Sequence, residues 1–327
     1  MNFRSLVPSL LLGAALFTGC DEHVDAVDGE VSLRRGSGSS GGVWLNTSTI
    51  GATPFSEFDL AGNLHDGVQF TGAEVLRPGD VWLTVTAVSV TDGNLKARAS
   101  NGVTYTGTDL VGSHWYLTLS NPEGDDDDDA ASVQAEIWIT SHQQVSARES
   151  RYVFATFDDD DNAIPICDAD SSGNHTAIPL KDLTVDPFTG DMATRKDTLY
   201  LACTSGAVGK AITWGYEPWE RPLSEFEVAT RMVRADYCYD GTSWTETGVP
   251  IQVRDKYNIN TFLYANDLTE VVWTKTGAAC IQTPRNPTYS AAQVTCNGAA
   301  LPTCPGDLSM STYKDTLFWT KIDATDL

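Results

Sequence analysis

The chain has 327 residues, with 44 acidic against 21 basic side chains, a formal net charge of −23 and 41% hydrophobic residues. That hydrophobic share suits a folded body with one large or two small cores. The charge repels nucleic acid phosphates and anionic lipid headgroups, which excludes both as partners and leaves cations, cationic surfaces and neutral glycans.

The first element in chain order is an export signal. Arg4 precedes an apolar run from Leu10 to Phe17 and the small pair Thr18-Gly19, immediately before Cys20. The run is too short to span a bilayer, so residues 1–19 read as a signal peptide and Cys20 as the lipid attachment site and mature N-terminus. Phe17 stands where such a site most often has Leu. Acyl chains on Cys20 exceed the two lipid signals that stable anchoring requires, so the expected partner is a membrane reached through the N-terminal lipid, and the expected location is the bacterial cell envelope. Asp21-Glu22 resembles the retention signal of the enteric inner membrane, but sorting rules differ between bacteria, and inner and outer membrane both stay open. Residues 20–42 are acidic and then rich in Gly and Ser, the composition of a flexible stalk.

Beyond the stalk the chain is punctuated like a β protein. Runs rich in β-branched and aromatic residues recur at Val81 to Val90, His114 to Leu119, Ala135 to Thr140, Tyr152 to Phe157, Thr198 to Cys203 and Ala211 to Tyr216, with turn signals such as Pro78-Gly79-Asp80, Asp92-Gly93-Asn94 and Asn101-Gly102 between them. Val81, Leu83, Val85 and Ala87 alternate with Trp82, Thr84 and Thr86, the period of a strand with one buried face. The expected fold is mainly β, an antiparallel sandwich or barrel-like body. A Gly-bounded apolar step recurs at Phe58 to Gly62, Val68 to Gly72 and Thr108 to Gly112, as a coil of short strands or as hairpin punctuation. One short helix is expected from about Glu225 to Ala235. Ser224 and Glu227 are spaced as a capping box, and Phe226, Ala229, Met232 and Val233 follow at helical spacing.

Apart from Cys20 there are six cysteines, Cys167, Cys203, Cys238, Cys280, Cys296 and Cys304, all after residue 166. An even number in an exported chain argues for disulfides, and the lack of Cys-x-x-Cys pairs argues against a structural metal. Fifteen pairings are open at this point. Residues 43–160 read as an N-terminal β region and 161–327 as a disulfide-rich domain, divided where the cysteines begin and the Asp158 run intervenes.

Three groups of residues are candidates for chemistry. Asp236 and Asp240, with Arg231 and Arg234 nearby, supply two carboxylates for acid and base work, or else brace the turn after the helix. The histidines are His23, His65, His114, His142 and His175, so none follows residue 175 to activate a local nucleophile. Acidic runs at Asp125 to Asp129 and Asp158 to Asp161 suggest calcium, with Asp158, Asp160, Asp168 and Asp170 as candidate ligands. The stretch from Asp168 opens like an EF-hand loop but puts Pro179 where the bidentate Glu is needed. Trp214, Tyr216 and Trp219 are grouped closely enough to stack on sugar rings, and equally suited to filling a β core.

The run Thr230-Arg231-Met232-Val233-Arg234-Ala235-Asp236-Tyr237-Cys238, then Asp240-Gly241, with Ala202-Cys203-Thr204-Ser205-Gly206 and Trp214-Gly215-Tyr216-Glu217-Pro218-Trp219 upstream, resembles the ADYC-domain proteins of Gram-negative bacteria, many of them predicted lipoproteins. The resemblance implies no particular activity. Family members often carry cysteines at the positions of Ala211 and Ala229 and a Gly at that of Tyr239. The joint loss of two cysteines implies a lost bridge, and the pairs then expected from the resemblance are Cys167–Cys203, Cys238–Cys280 and Cys296–Cys304. The expected function is a non-enzymatic binding or structural role for an envelope lipoprotein, without a cofactor. The alternatives are a periplasmic or surface hydrolase using Asp236 or Asp240, and a calcium-dependent glycan or adhesion module.

Overall fold

The computed structural model describes residues 43–51, 53–120, 132–246, 248–264 and 267–323. The expected signal peptide, Cys20, the stalk and Asp125 to Asp129 lie outside the described residues.

A two-residue ladder of β1 (Thr49–Ile50) and β2 (Thr53–Pro54) opens the described chain. Eleven strands then form one antiparallel sheet: β3 (Glu57–Asp59), β4 (Val68–Arg77), β5 (Val81–Thr91), β6 (Asn94–Ala99), β7 (Thr104–Thr106), β8 (His114–Leu119), β9 (Val133–Ser146), β10 (Glu149–Phe157), β11 (Ala163–Pro165), β12 (Ala177–Val185) and β13 (Met192–Cys203). Their order is β3-β13-β12-β10-β9-β8-β4-β5-β6-β7, with β11 paired to β10. The sheet curls, so that β3 meets β4 and β5 and β6 approach β12. Enclosed within it is a core of Phe58, Val75, Leu95, Trp115, Leu117, Ile137, Ile139, Phe154, Leu199 and Leu201.

Two helices follow, α1 (Ala207–Thr213) and α2 (Leu223–Arg234), which pack against one another. A second antiparallel sheet takes the order β14-β19-β15-β16, from β14 (Ile251–Asp255), β15 (Leu268–Thr274), β16 (Gly277–Ile281) and β19 (Thr316–Ile322). Between β16 and β19 lies a small hairpin of β17 (Thr295–Cys296) and β18 (Ala299–Ala300). Phe226, Val228, Ala229 and Met232 of α2 form a second core with Val271, Trp273, Leu317 and Phe318 of this sheet.

The β12–β13 hairpin is the wall between the two cores. Side chains alternate across a strand. Leu199, Leu201 and Cys203 face the first core, while Tyr200 and Ala202 face the second, so the end of β13 is buried on both sides. The first sheet therefore runs well past residue 160 and takes its covered wall from residues 177–203.

Several local expectations change. The Ala211 to Tyr216 run is the end of α1 and a turn. Gly209 lets that helix sit on the end of β13, since a Cβ there would lie 2.1 Å from the Cys203 carbonyl oxygen. In α2, Pro222 occupies the N-cap without a side-chain cap hydrogen bond, and Glu227 turns to Arg231, so the capping box of Ser224 does not form. The Gly-bounded steps fall on β3, on β4 and in a short 3-10 turn at Gly107–Leu110, three unlike settings, which makes them turn punctuation. Val81 is 49% exposed, so the alternation of β5 buries less than its pattern promises.

Cys167 is bonded to Cys203. The other two expected pairs are replaced by Cys238–Cys296 and Cys280–Cys304. The chain beyond β18 returns alongside β16, where Ile281 donates to the Pro302 carbonyl at 2.9 Å and accepts from the Cys304 amide at 3.3 Å. That register sets Cys304 beside Cys280 and leaves Cys296 for Cys238.

Candidate functional site

The segment Ala235-Asp236-Tyr237-Cys238 closes α2. Ala235 takes the left-handed conformation at φ 54°, and the Asp236 amide donates back to the Arg231 carbonyl at 3.0 Å, which satisfies an end of the helix. The next residues hold a tight turn in which Tyr239 also has positive φ, at 59°. This gives a physical reason for the Gly that the resemblance implies at that position. Gly241 is needed because a Cβ there would lie 1.9 Å from the Phe188 carbonyl oxygen.

Asp236 is fully buried, and the turn is built around it. Oδ2 accepts from Arg231 Nη1 at 2.6 Å and from the Gly241 amide at 3.1 Å, and Oδ1 accepts from the Asp240 amide at 3.2 Å. Burial pushes its carboxyl up from the ordinary range, against the opposing pull of the Arg231 and Arg234 guanidiniums. Arg231 also donates to the Thr189 carbonyl and to Glu227, both at 2.8 Å, pairs with Asp191, and lies 4.3 Å over the Tyr239 ring. Arg234 donates to the carbonyls of Val43 and Gly241, each at 2.9 Å. The four residues expected as a functional cluster do come together. Three of them are buried, and only Asp240 is exposed.

Tyr237 leads to a second buried group that the sequence did not reveal. Its hydroxyl donates to Glu270 Oε1 at 2.8 Å and accepts from the Arg285 amide at 2.9 Å. The Arg285 guanidinium pairs with Glu270 at 3.0 Å and also donates to the carbonyls of Val233 and Met232 at 2.8 and 2.9 Å. Arg285 thereby caps the C-terminus of α2 with a charge matched to its dipole. Cys238 is tied to Cys296. Every residue of the motif works inward. Ala235 turns the chain, Asp236 gathers amides and a guanidinium, Tyr237 joins an ion pair, and Cys238 staples the hairpin.

The other candidates are dispersed. Asp158 and Asp160 lie in one turn, Asp168 and Asp170 in another, and among the described residues neither pair belongs to a group of three ligating side chains. Asp158 Oδ1 accepts the amides of Asp160 and Asn162 at 3.0 and 2.7 Å, and these bonds hold its carboxyl below the usual range. Asp170 accepts the amides of Ser172 and Asn174 at 2.8 and 3.0 Å. Both carboxylates serve their own turns. Tyr216 is fully buried, donates to Asp255 at 3.1 Å and packs edge-on to Phe318, so it presents no face for stacking. Trp214 and Trp219 pack against the second core, Trp219 over Gly93.

A cleft of about 570 Å³ opens where the chain enters the fold. Its walls are the segment from Trp44 to Glu57 and the ends of β12 and β13, with Leu45, Phe55, Phe188, Met192 and Tyr200 as apolar lining and Glu57 and Asp66 at its edge. Among the described residues, Glu57, His65 and Asp66 are the group of three whose ligating atoms lie within 4.8 Å of one another. Arg195 is in contact with His65 Nδ1, and His65 Nε2 lies 2.7 Å from Glu57 Oε1. Arginine has only protons to give, so Nδ1 accepts and Nε2 carries the hydrogen that meets Glu57. In this arrangement His65 braces a carboxylate and offers no lone pair to a cation. Thr184 Oγ1 and the Val185 amide hold the same Glu57 at 2.5 and 3.2 Å.

The fold and the motif together define a mainly β body of antiparallel sheets whose signature turn is an internal brace. Residues 107–287 match the family model described as the ADYC domain, more than half of the chain, and the chain belongs to that family. Neither the curated proteins nor the solved structures provide a match.

Proposed function

We propose that this chain is a lipid-anchored lipoprotein of the bacterial cell envelope whose folded body binds a partner without catalysing a reaction. The observation that carries the reading is the contrast between the motif and the cleft. Asp236, one of the two carboxylates considered for a hydrolase, is walled in and hydrogen-bonded on both oxygens, whereas a concave surface with apolar walls and the exposed carboxylate of Asp66 at its edge is open to a ligand. Glu57, buried and held by three donors, braces the wall of this cleft and so keeps its shape fixed for a ligand.

Two measurements test it. Metabolic labelling with an alkynyl fatty acid should mark the protein, and Cys20→Ala should abolish the label and release the chain from membranes. A photo-crosslinking residue placed at Met192 in intact cells should give a discrete adduct that the same residue at exposed Thr288 does not. Equal adducts at both positions would remove the cleft from the proposal, and an unlabelled wild type would remove the anchor.

A further inference from the structure

The outward face of the first sheet carries a row of aromatic rings where a solvated strand face ordinarily carries polar side chains. Trp82 on β5 lies 4.1 Å from the His114 ring on β8, His114 lies 3.5 Å from Trp138 on β9, and Trp138 lies 5.0 Å from Phe157 on β10. Trp82 crosses over β4 to reach His114. The row is open to solvent at both ends, with Trp82 39% and Phe157 40% exposed.

Carboxylates flank the rings. Glu136 lies 2.5 Å from His114 Nδ1 and is itself 41% exposed, and Glu74 accepts from the Tyr116 hydroxyl at 3.0 Å. Directly after Phe157 come the four exposed aspartates Asp158, Asp159, Asp160 and Asp161. Indole faces attract cations through their quadrupole, and carboxylates beside them supply the paired charge.

We propose that this face docks a basic peptide segment of a partner protein, its Lys or Arg side chains lying over Trp82 and Trp138 and their charges meeting Glu136 and the Asp158 turn. Charge complementarity decides the occupant, since a net charge of −23 draws cationic chains and repels anionic ones. A neutral glycan would use the same rings and donate hydroxyls to the same carboxylates, but its binding would be indifferent to salt. The proposal stands apart from the cleft, which lies at the β3 end of the sheet.

Calorimetric titration of the full chain with an (Arg-Gly)4 peptide, and separately with chitohexaose as a neutral glycan, tests it. Saturable peptide binding should weaken about fivefold or more in Trp82→Ala and by a similar factor in Glu136→Gln. Asp307→Asn, an equal loss of charge at an exposed site elsewhere, should change affinity less than about twofold. Melting curves of each variant confirm the fold, and Glu136→Gln keeps the test intact if Trp82→Ala is destabilised. Peptide binding that responds equally to Glu136→Gln and Asp307→Asn would be diffuse charge attraction and would overturn the proposal. So would chitohexaose binding that depends on Trp82 while peptide binding does not.

Discussion

The two cores that meet at the β12–β13 wall are held together by different means. Apolar side chains projecting inward from alternate strand positions fill the first, and among the bonded cysteines only Cys167 and Cys203 belong to it. The second is smaller in sheet, adds two helices, and contains buried charge: Arg231 with Asp236 and Arg285 with Glu270, each side chain no more than 2% exposed. Burial of apolar area is non-directional and tolerates many sequences. A buried ion pair contributes little net stability, yet removing one partner is severe, because the other charge is left without solvent. The second core thus trades tolerance for a fixed arrangement of α2 and its flanking turns, and the family motif lies in that core.

Breaking Arg285 should expose this difference most strongly. Arg285→Ala leaves Glu270 buried and unpaired and strips the cap from two α2 carbonyls, so an unfolding free energy lower by about 3–5 kcal/mol is expected in urea titration. The double change Arg285→Met with Glu270→Leu should recover much of that loss. A double change no better than Arg285→Ala would show that the capping bonds, and not the orphaned carboxylate, set the cost.

A middle-sized effect is expected from the staple. Cys280→Ser with Cys304→Ser opens a bridge spanning 24 residues and should cost about 2–4 kcal/mol. Peptide mapping under non-reducing conditions should recover Cys280 with Cys304 and Cys238 with Cys296. Recovery of Cys238 with Cys280 would restore the pairing expected from the resemblance.

The smallest effect is a pH dependence. Glu225, in the first turn of α2, is pushed up by burial but more strongly held down by Lys256 at 2.6 Å and Tyr257 at 2.5 Å, to about 2 from an ordinary value of 4.5. A carboxylate with a depressed folded-state pKa adds stability above its unfolded value and loses it as the pH falls through the folded one. The contribution should therefore be complete above about pH 4.5 and fade toward pH 2. Urea midpoints measured across that range should flatten in Glu225→Gln, and an unchanged slope would assign the acid sensitivity to other carboxylates.

The first core is largely legible in the sequence. His114 to Leu119 reads as a strand and is one, with Trp115, Leu117 and Leu119 inward. The β runs at Tyr152 to Phe157 and Thr198 to Cys203 likewise fall in β10 and β13. α1 is hidden because Ile212, Trp214 and Tyr216 mimic alternation, while the feature that decides for a helix is the close seat of Gly209 on Cys203, a contact invisible to periodicity. The Arg285–Glu270–Tyr237 group is hidden for a related reason: its members meet only when β15, α2 and the stretch after β16 are assembled, and no local spacing marks them. Two of the three bridges differ from what the resemblance implied, because no local spacing marks the parallel return of residues 302–304 along β16. Glu57 and His65 are unremarkable as isolated residues and gain meaning only from Arg195, 130 positions after His65.

Arg234 gives the motif a mechanical role. Its guanidinium grips the Val43 carbonyl, and the Val43 amide donates in turn to Ser243 at 3.3 Å. Val43 leads directly into the cleft wall, which begins at Trp44, so this clamp ties the edge of the cleft to the junction of α2 with its turn. Loosening that one guanidinium would free the start of the cleft wall together with the turn after α2, so the shape of the cleft and the geometry of the motif share a single fastening.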